Sequence, residues 1–142
     1  MNMHASSGRW HVIAILAARL IFGGFFAMGA IFKFADIGGT AAYIASVGFP
    51  APLLLAWLAA FFELALAICL LTGAFFTEAA LLAAAYVLFL AVVFHGPARW
   101  EGDRTVFRFF LLHLTFIAGL LFAALHGPGT ALAIRRSLLG RT

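Results

Sequence analysis

Residues 52–71 read PLLLAWLAAFFELALAICLL, twenty residues with one charged side chain, Glu63, among them. A helix needs about 20 apolar residues to cross a hydrocarbon core of about 30 Å. The run is continuous and does not alternate, so it reads as a membrane-spanning helix and not as a strand of a membrane barrel. Proline at position 52 suits a first helical turn, and Thr72-Gly73 closes the run with a residue favoured just past a helix end.

Three more runs of this kind flank it. They cover residues 12–34, 79–95 and 109–126, and with 52–71 they predict an all-α, polytopic bundle of four transmembrane helices. The third run stops at His95-Gly96-Pro97 and the fourth at His126-Gly127-Pro128-Gly129, where glycine and proline end the helix. Both are near the short limit for a span. Between the first two spans, Thr40 to Val47 is expected to form a short helix in the interface, with Tyr43 at headgroup level. The link from Thr72 to Glu78 is short, so spans two and three should be antiparallel neighbours. The link from Gly96 to Arg108 carries Arg99, Glu101, Asp103 and Arg104 and belongs in water.

Composition agrees. The 142 residues have room for one domain, so 1–142 is read as a single membrane domain. They are 65% hydrophobic and 10% charged, with a mean hydropathy of +1.12. A soluble fold carries about a quarter charged residues, so this chain cannot cover a water-facing surface. The net charge of +4 forms no basic stripe, which sets nucleic acid aside. Its cations, among them Arg9, Lys33, Arg99, Arg104, Arg108, Arg135, Arg136 and Arg141, sit at the ends of apolar runs, where they meet headgroups. The first run is longer than the roughly 7–15 residues of a signal-peptide core and contains Arg19, so it is read as an anchor that stays in place. Four spans put both termini on one side. The basic residues tie between the two sides unless Arg19 joins the terminal side, which favours cytoplasmic termini. Cys69, the single cysteine, can form no intrachain disulfide and reads as a small buried hydrophobe.

Ionisable residues inside spans carry the functional signal, because a charge at the bilayer centre costs about 2.5–3.5 kcal/mol on insertion scales. Arg19 lies seven residues past Val12 and so about 11 Å deep. Glu63 lies about 16 Å from the opposite side by the same rise, or about 14 Å from the terminal side of a core of about 30 Å. The matching depths predict a structural ion pair between Arg19 and Glu63. Lys33 follows Arg19 by two heptads and shares its helix face with Phe22, Phe26, Gly29 and Ala30, where Gly29 permits close approach of another helix. Alone, Lys33 reads as a side chain snorkelling to the interface. His95 ends the third span and His113 lies about 7 Å into the fourth. A polar pocket of Lys33, His95, Arg108 and His113, with Glu63 at its floor, follows. Two histidines are too few for a zinc site; haem on two axial histidines stays open. The nearby cations favour an anion or a quinone carbonyl. No catalytic residue is identified, and no motif for an iron–sulfur cluster, flavin or nucleotide is visible.

The pattern resembles the DoxX-like membrane proteins, a broad bacterial family related to the surfeit-locus proteins of eukaryotes. The matching elements are Arg19 through Gly24, Phe25 and Gly29 to Lys33, then the Gly48-Phe49-Pro50 turn. Glu63-Leu64, Leu71-Thr72-Gly73, His95 and Gly127-Pro128-Gly129 follow in order. The sequence departs from the family at Ala131-Leu132-Ala133, where an acid is common, and at Leu112-His113, where a Lys-Asn-like pair is common. The resemblance implies four transmembrane helices in a bacterial inner membrane and a link to membrane redox functions. Two function classes follow. One is an accessory or quinone-interacting subunit of a membrane redox complex, an oxidoreductase subunit dependent on a partner enzyme for electrons. The other is a non-enzymatic adaptor, or a binder of lipid or a small hydrophobic solute. A transporter is a third reading, and four short spans would then need a second copy of the chain.

Overall fold

The structure, a computed structural model, describes residues 3–134 and 137–139. Arg135, Arg136 and Arg141, which entered the charge count above, lie outside the described residues. The chain forms α1 (Met3–Ala35), α2 (Ile37–Ser46), α3 (Pro52–Thr72), α4 (Phe76–His95), a 3-10 turn (Pro97–Arg99) and α5 (Arg104–His126). The four long helices α1, α3, α4 and α5 are each long and apolar enough to cross a membrane. They close a ring in chain order: α1 packs on α3, α3 on α4, α4 on α5, and α5 returns to α1. The start of α1 and the described residues after α5 share the terminal end of the bundle. The link that carries α2 and the link from Gly96 to Asp103 share the far end.

Three of the spanning helices begin earlier than their apolar runs: α1 starts at Met3 where residue 12 was expected, and α4 and α5 differ likewise. The third span was expected from residue 79, yet α4 starts at Phe76. Its link to α3 is only Gly73 to Phe75, and the tight reversal uses left-handed backbone at Gly73 (φ +79°) and Phe75 (φ +51°). The fourth span was expected from residue 109, yet α5 starts at Arg104. Asp103 caps it by accepting from the Thr105 and Val106 amides, which satisfies first-turn donors no apolar pattern can reveal. With 20 and 23 residues, α4 and α5 are not short spans.

The core is made of few large side chains and many small ones. Phe26, Leu66, Leu70, Phe76 and Leu120 interlock with Ala79, Ala80, Ala83 and Ala84 of α4. Lipid tails are as apolar as leucine, so helices in a bilayer are held by close packing, and small residues allow it. Glycine does the same between α1 and α3, where a Cβ on Gly23 would lie 2.5 Å from Leu71 Cγ. Meanwhile Leu20, Ile21, Phe25, Leu54, Phe61, Leu82, Leu112 and Phe122 are exposed. This inside-out distribution is what hydrocarbon surroundings permit and water does not.

α2 is capped by Asp36, whose carboxylate accepts from the Gly39 amide at 2.8 Å. Its Ile44 is buried with Ala56 of α3 and Phe94 of α4, and Tyr43 stacks on Phe94 with ring centroids 4.9 Å apart. The helix therefore covers the far end of the α3–α4 seam.

Candidate functional site

Beneath α2 lies a cavity of about 510 Å³. Its walls are apolar and rich in aromatic rings: Tyr43 and Ile44 of α2, Phe49, Leu55, Leu58 and Phe62 before and along α3, and Phe89, Leu90 and Phe94 of α4. Its polar lining comes from Thr40, Lys33, Tyr86, His95 and His113.

The floor is an ion pair. Lys33 Nζ donates to Glu63 Oε2 at 2.8 Å, and the Tyr86 hydroxyl donates to Glu63 Oε1 at 2.8 Å. The carboxylate thus has both oxygens occupied, one by a cation and one by a neutral donor. Its side chain is 6% exposed, against 25% for Lys33, so the ammonium faces the cavity and the carboxylate stands behind it. Gly29 makes room for this, because a Cβ there would come within 2.5 Å of Glu63 Oε2. The expected close approach at Gly29 is therefore present, and what approaches is the carboxylate.

The two histidines meet. Their ring centroids are 4.9 Å apart. His113 Nδ1 lies 2.6 Å from the Phe109 carbonyl, which can only accept, so Nδ1 carries the proton and Nε2 is left for other partners. Trp100 Nε1 donates to the His95 carbonyl at 2.8 Å and ties the far-end loop to α4. His95 Nδ1 is buried without a hydrogen-bond partner among the described residues.

Of the five expected pocket residues, four gather here: Lys33, His95 and His113 in the lining and Glu63 behind Lys33. Arg108 does not; it is exposed and stands apart from the lining. Tyr86 was not anticipated. Its signal was present in the sequence, since it is the single tyrosine of an otherwise apolar span, and a hydroxyl at membrane depth needs a partner.

The expected Arg19–Glu63 pair does not form. Arg19 Nη1 donates to the Pro128 carbonyl at 2.9 Å and Nη2 to the Leu132 carbonyl at 2.8 Å. The reason is register. Gly29 of α1 faces Glu63 and Gly23 faces Leu71, so Arg19 falls beyond the end of α3 at Thr72. Ten residues separate Arg19 from Gly29, or about 15 Å along the helix. The depth reckoning failed because it took Val12 as the level at which the bundle begins, whereas α1 overhangs the terminal end of α3: Gly23 is already level with Leu71, and Arg19 lies outside it.

The terminal end is a separate polar cluster. Glu78 Oε1 accepts from Ser137 Oγ and from the Leu138 and Leu139 amides at 2.6–3.0 Å. The Ile134 amide donates to the Thr72 carbonyl at 2.8 Å. Arg19 and Glu78 thus hold the segment after α5 against the ends of α3 and α4. His126 is at this end, with its ring 6.5 Å from that of His11, and takes no part in the far cavity. No cluster of metal-ligating side chains occurs among the described residues.

Comparison with known proteins returns no match among the curated proteins and none among the solved structures. The family model of DoxX matches residues 14–96. That stretch runs from α1 to the end of α4 and contains Arg19, Lys33, Glu63, Tyr86 and His95, whereas His113 lies beyond it. The match spans more than half of the chain, and this small integral membrane protein belongs to the DoxX family.

Proposed function

We propose that the far-end cavity binds a quinone and that the protein is the quinone-binding accessory subunit of a membrane redox complex. The observation that carries this reading is a far-end cavity in which aromatic and aliphatic walls surround a few polar groups, Lys33, Tyr86, His95 and His113. Ligand sites are typically apolar with a small number of placed polar groups that fix orientation. A flat ring finds stacking partners among Phe62, Phe89 and Phe94. Its oxygens find donors in Lys33 Nζ, which has two N–H groups beyond the one given to Glu63, and in a ring N–H of His95.

A bound quinone would supply two-electron redox chemistry, with electrons delivered by a partner enzyme. The chain's own part is to orient and to hold protons. Lys33 favours negative charge building on an oxygen beside it. Unpartnered His95 Nδ1 can take or give a proton at that edge of the cavity. Arg108, outside the cavity, has no role in this scheme. We place the protein in a bacterial cytoplasmic membrane with both termini in the cytoplasm, a topology that reporter fusions to each terminus test.

A second reading, a binder of lipid or of a small hydrophobic solute, draws on the same apolar walls. Gentle purification followed by solvent extraction and mass spectrometry separates the two. Stoichiometric quinone supports the first reading. Phospholipid or another solute in its place, with no saturable binding of added quinone, overturns it.

A further inference from the structure

We propose that the Glu63 carboxylate makes the cavity select neutral, oxygen-bearing ligands and reject anions such as free fatty acids. The inference rests on the cavity being a ligand site, and it names the class of ligand that site accepts. Lys33 is the one ammonium in the lining, and alone in apolar walls it would be a strong attractor for a carboxylate. The membrane is a ready source of long-chain carboxylates whose tails suit those walls. Glu63 removes this hazard. Its Oε2 sits 2.8 Å from Lys33 Nζ, and the carboxylate is held by Tyr86 at 2.8 Å and by the space left at Gly29.

The pair presents no net charge to the cavity. An incoming carboxylate would find the ammonium already neutralised and a second negative charge directly behind it. It would also surrender its hydration for one shared donor. A ketone, ester or quinone oxygen gives up far less, and it still gains a hydrogen bond from a free N–H of Lys33. His95 and His113 are the other titratable groups of the lining, and as neutral rings they offer a donor or an acceptor without attracting an anion. Tyr86 is a neutral phenol that spends its proton on Glu63. Arg99 and Arg108 are exposed at this end and absent from the lining. Glu63 is thus a specificity residue that acts through Lys33, without touching the ligand itself.

The test is equilibrium binding of three radiolabelled probes to the full chain in nanodiscs, with empty nanodiscs as background. The probes are a decyl-benzoquinone, a fatty acid of matched chain length above its pKa, and the methyl ester of that acid. The wild-type protein should bind a neutral probe at least about tenfold more tightly than the fatty acid, a free-energy gap of about 1.4 kcal/mol. In Glu63→Gln the amide oxygen can still accept from Lys33 while the amide N–H donates to the Tyr86 oxygen, and the charge on Lys33 is freed, so it should gain at least about tenfold for the fatty acid while the neutral probes change little. Lys33→Met/Glu63→Gln has neither charge and should reject the fatty acid again. Equal fatty-acid binding by wild type and Glu63→Gln, or tight fatty-acid binding by wild type, overturns the inference. If the ester binds and the quinone does not, the quinone reading falls and the selectivity stands. If quinone binds but the fatty acid binds equally well, the reverse holds. No saturable binding of any probe to any variant overturns both.

Discussion

Helix α1 carries two cations into the bundle, Lys33 near the far end and Arg19 near the terminal end, and it satisfies them in different ways. Arg19 is 1% exposed and spends its guanidinium on the backbone carbonyls of Pro128 and Leu132. Lys33 meets a side chain, Glu63, and keeps a quarter of its surface open to a cavity. A cation bonded to backbone fixes where a chain segment goes. A cation paired with a carboxylate at a cavity wall can also meet a ligand. Intramembrane charge is therefore not one signal, and these two residues divide it into anchoring and recognition.

The largest effect that could break this division comes from the far end. Lys33→Met leaves the Glu63 carboxylate without its cation, and removing one partner of a buried pair costs about 3–5 kcal/mol. A large loss of thermal stability in detergent is expected, with most of it restored in Lys33→Met/Glu63→Gln. An unchanged melting temperature in the single variant would mean that the pair is not formed. Arg19→Met comes next. It removes two charge-assisted hydrogen bonds of about 1.5 kcal/mol each, so about 3 kcal/mol of stability should go, and limited proteolysis should cut sooner after residue 127. Quinone binding should stay within about twofold, since Lys33, the α1 residue of the cavity lining, lies about 21 Å away along α1.

Smaller changes sharpen the far end. Gly29→Ala puts a methyl group where Glu63 Oε2 sits. Overpacking of this kind costs about 1–3 kcal/mol, and binding of neutral ligands should weaken as Lys33 follows the displaced carboxylate. Tyr86→Phe removes one hydrogen bond from Glu63, worth about 1.5 kcal/mol because the acceptor is charged. Its melting temperature should fall less than that of Arg19→Met. A larger fall would make Tyr86, and not Lys33, the main support of the carboxylate.

The sequence shows the bundle plainly because hydrocarbon demands long apolar runs, and α3 coincides with residues 52–71 to within one residue. It shows less of the helix starts. Asp103 and the left-handed Phe75 set those by hydrogen bonding and backbone geometry, not by hydropathy. The gathering of Lys33, Glu63, His95 and His113 was legible because each is costly in lipid and all lie toward the same end. Arg19 misled because counting residues gives depth only when the entry point of the helix is known. Arg108 misled because a basic residue in the first turns of a helix that begins in water has no need of a partner. Tyr86 escaped because a hydroxyl carries no charge to mark it.

The central claim is that the Lys33–Glu63 end binds a ligand and the Arg19 end holds the fold. Its most direct measurement is saturation binding of decyl-benzoquinone in nanodiscs to Arg19→Met and to Lys33→Met/Glu63→Gln side by side. The account predicts that Arg19→Met binds within about twofold of wild type and the double variant at least about tenfold more weakly, a gap of about 1.4 kcal/mol or more. Equal binding by the two, or loss in Arg19→Met alone, would contradict it.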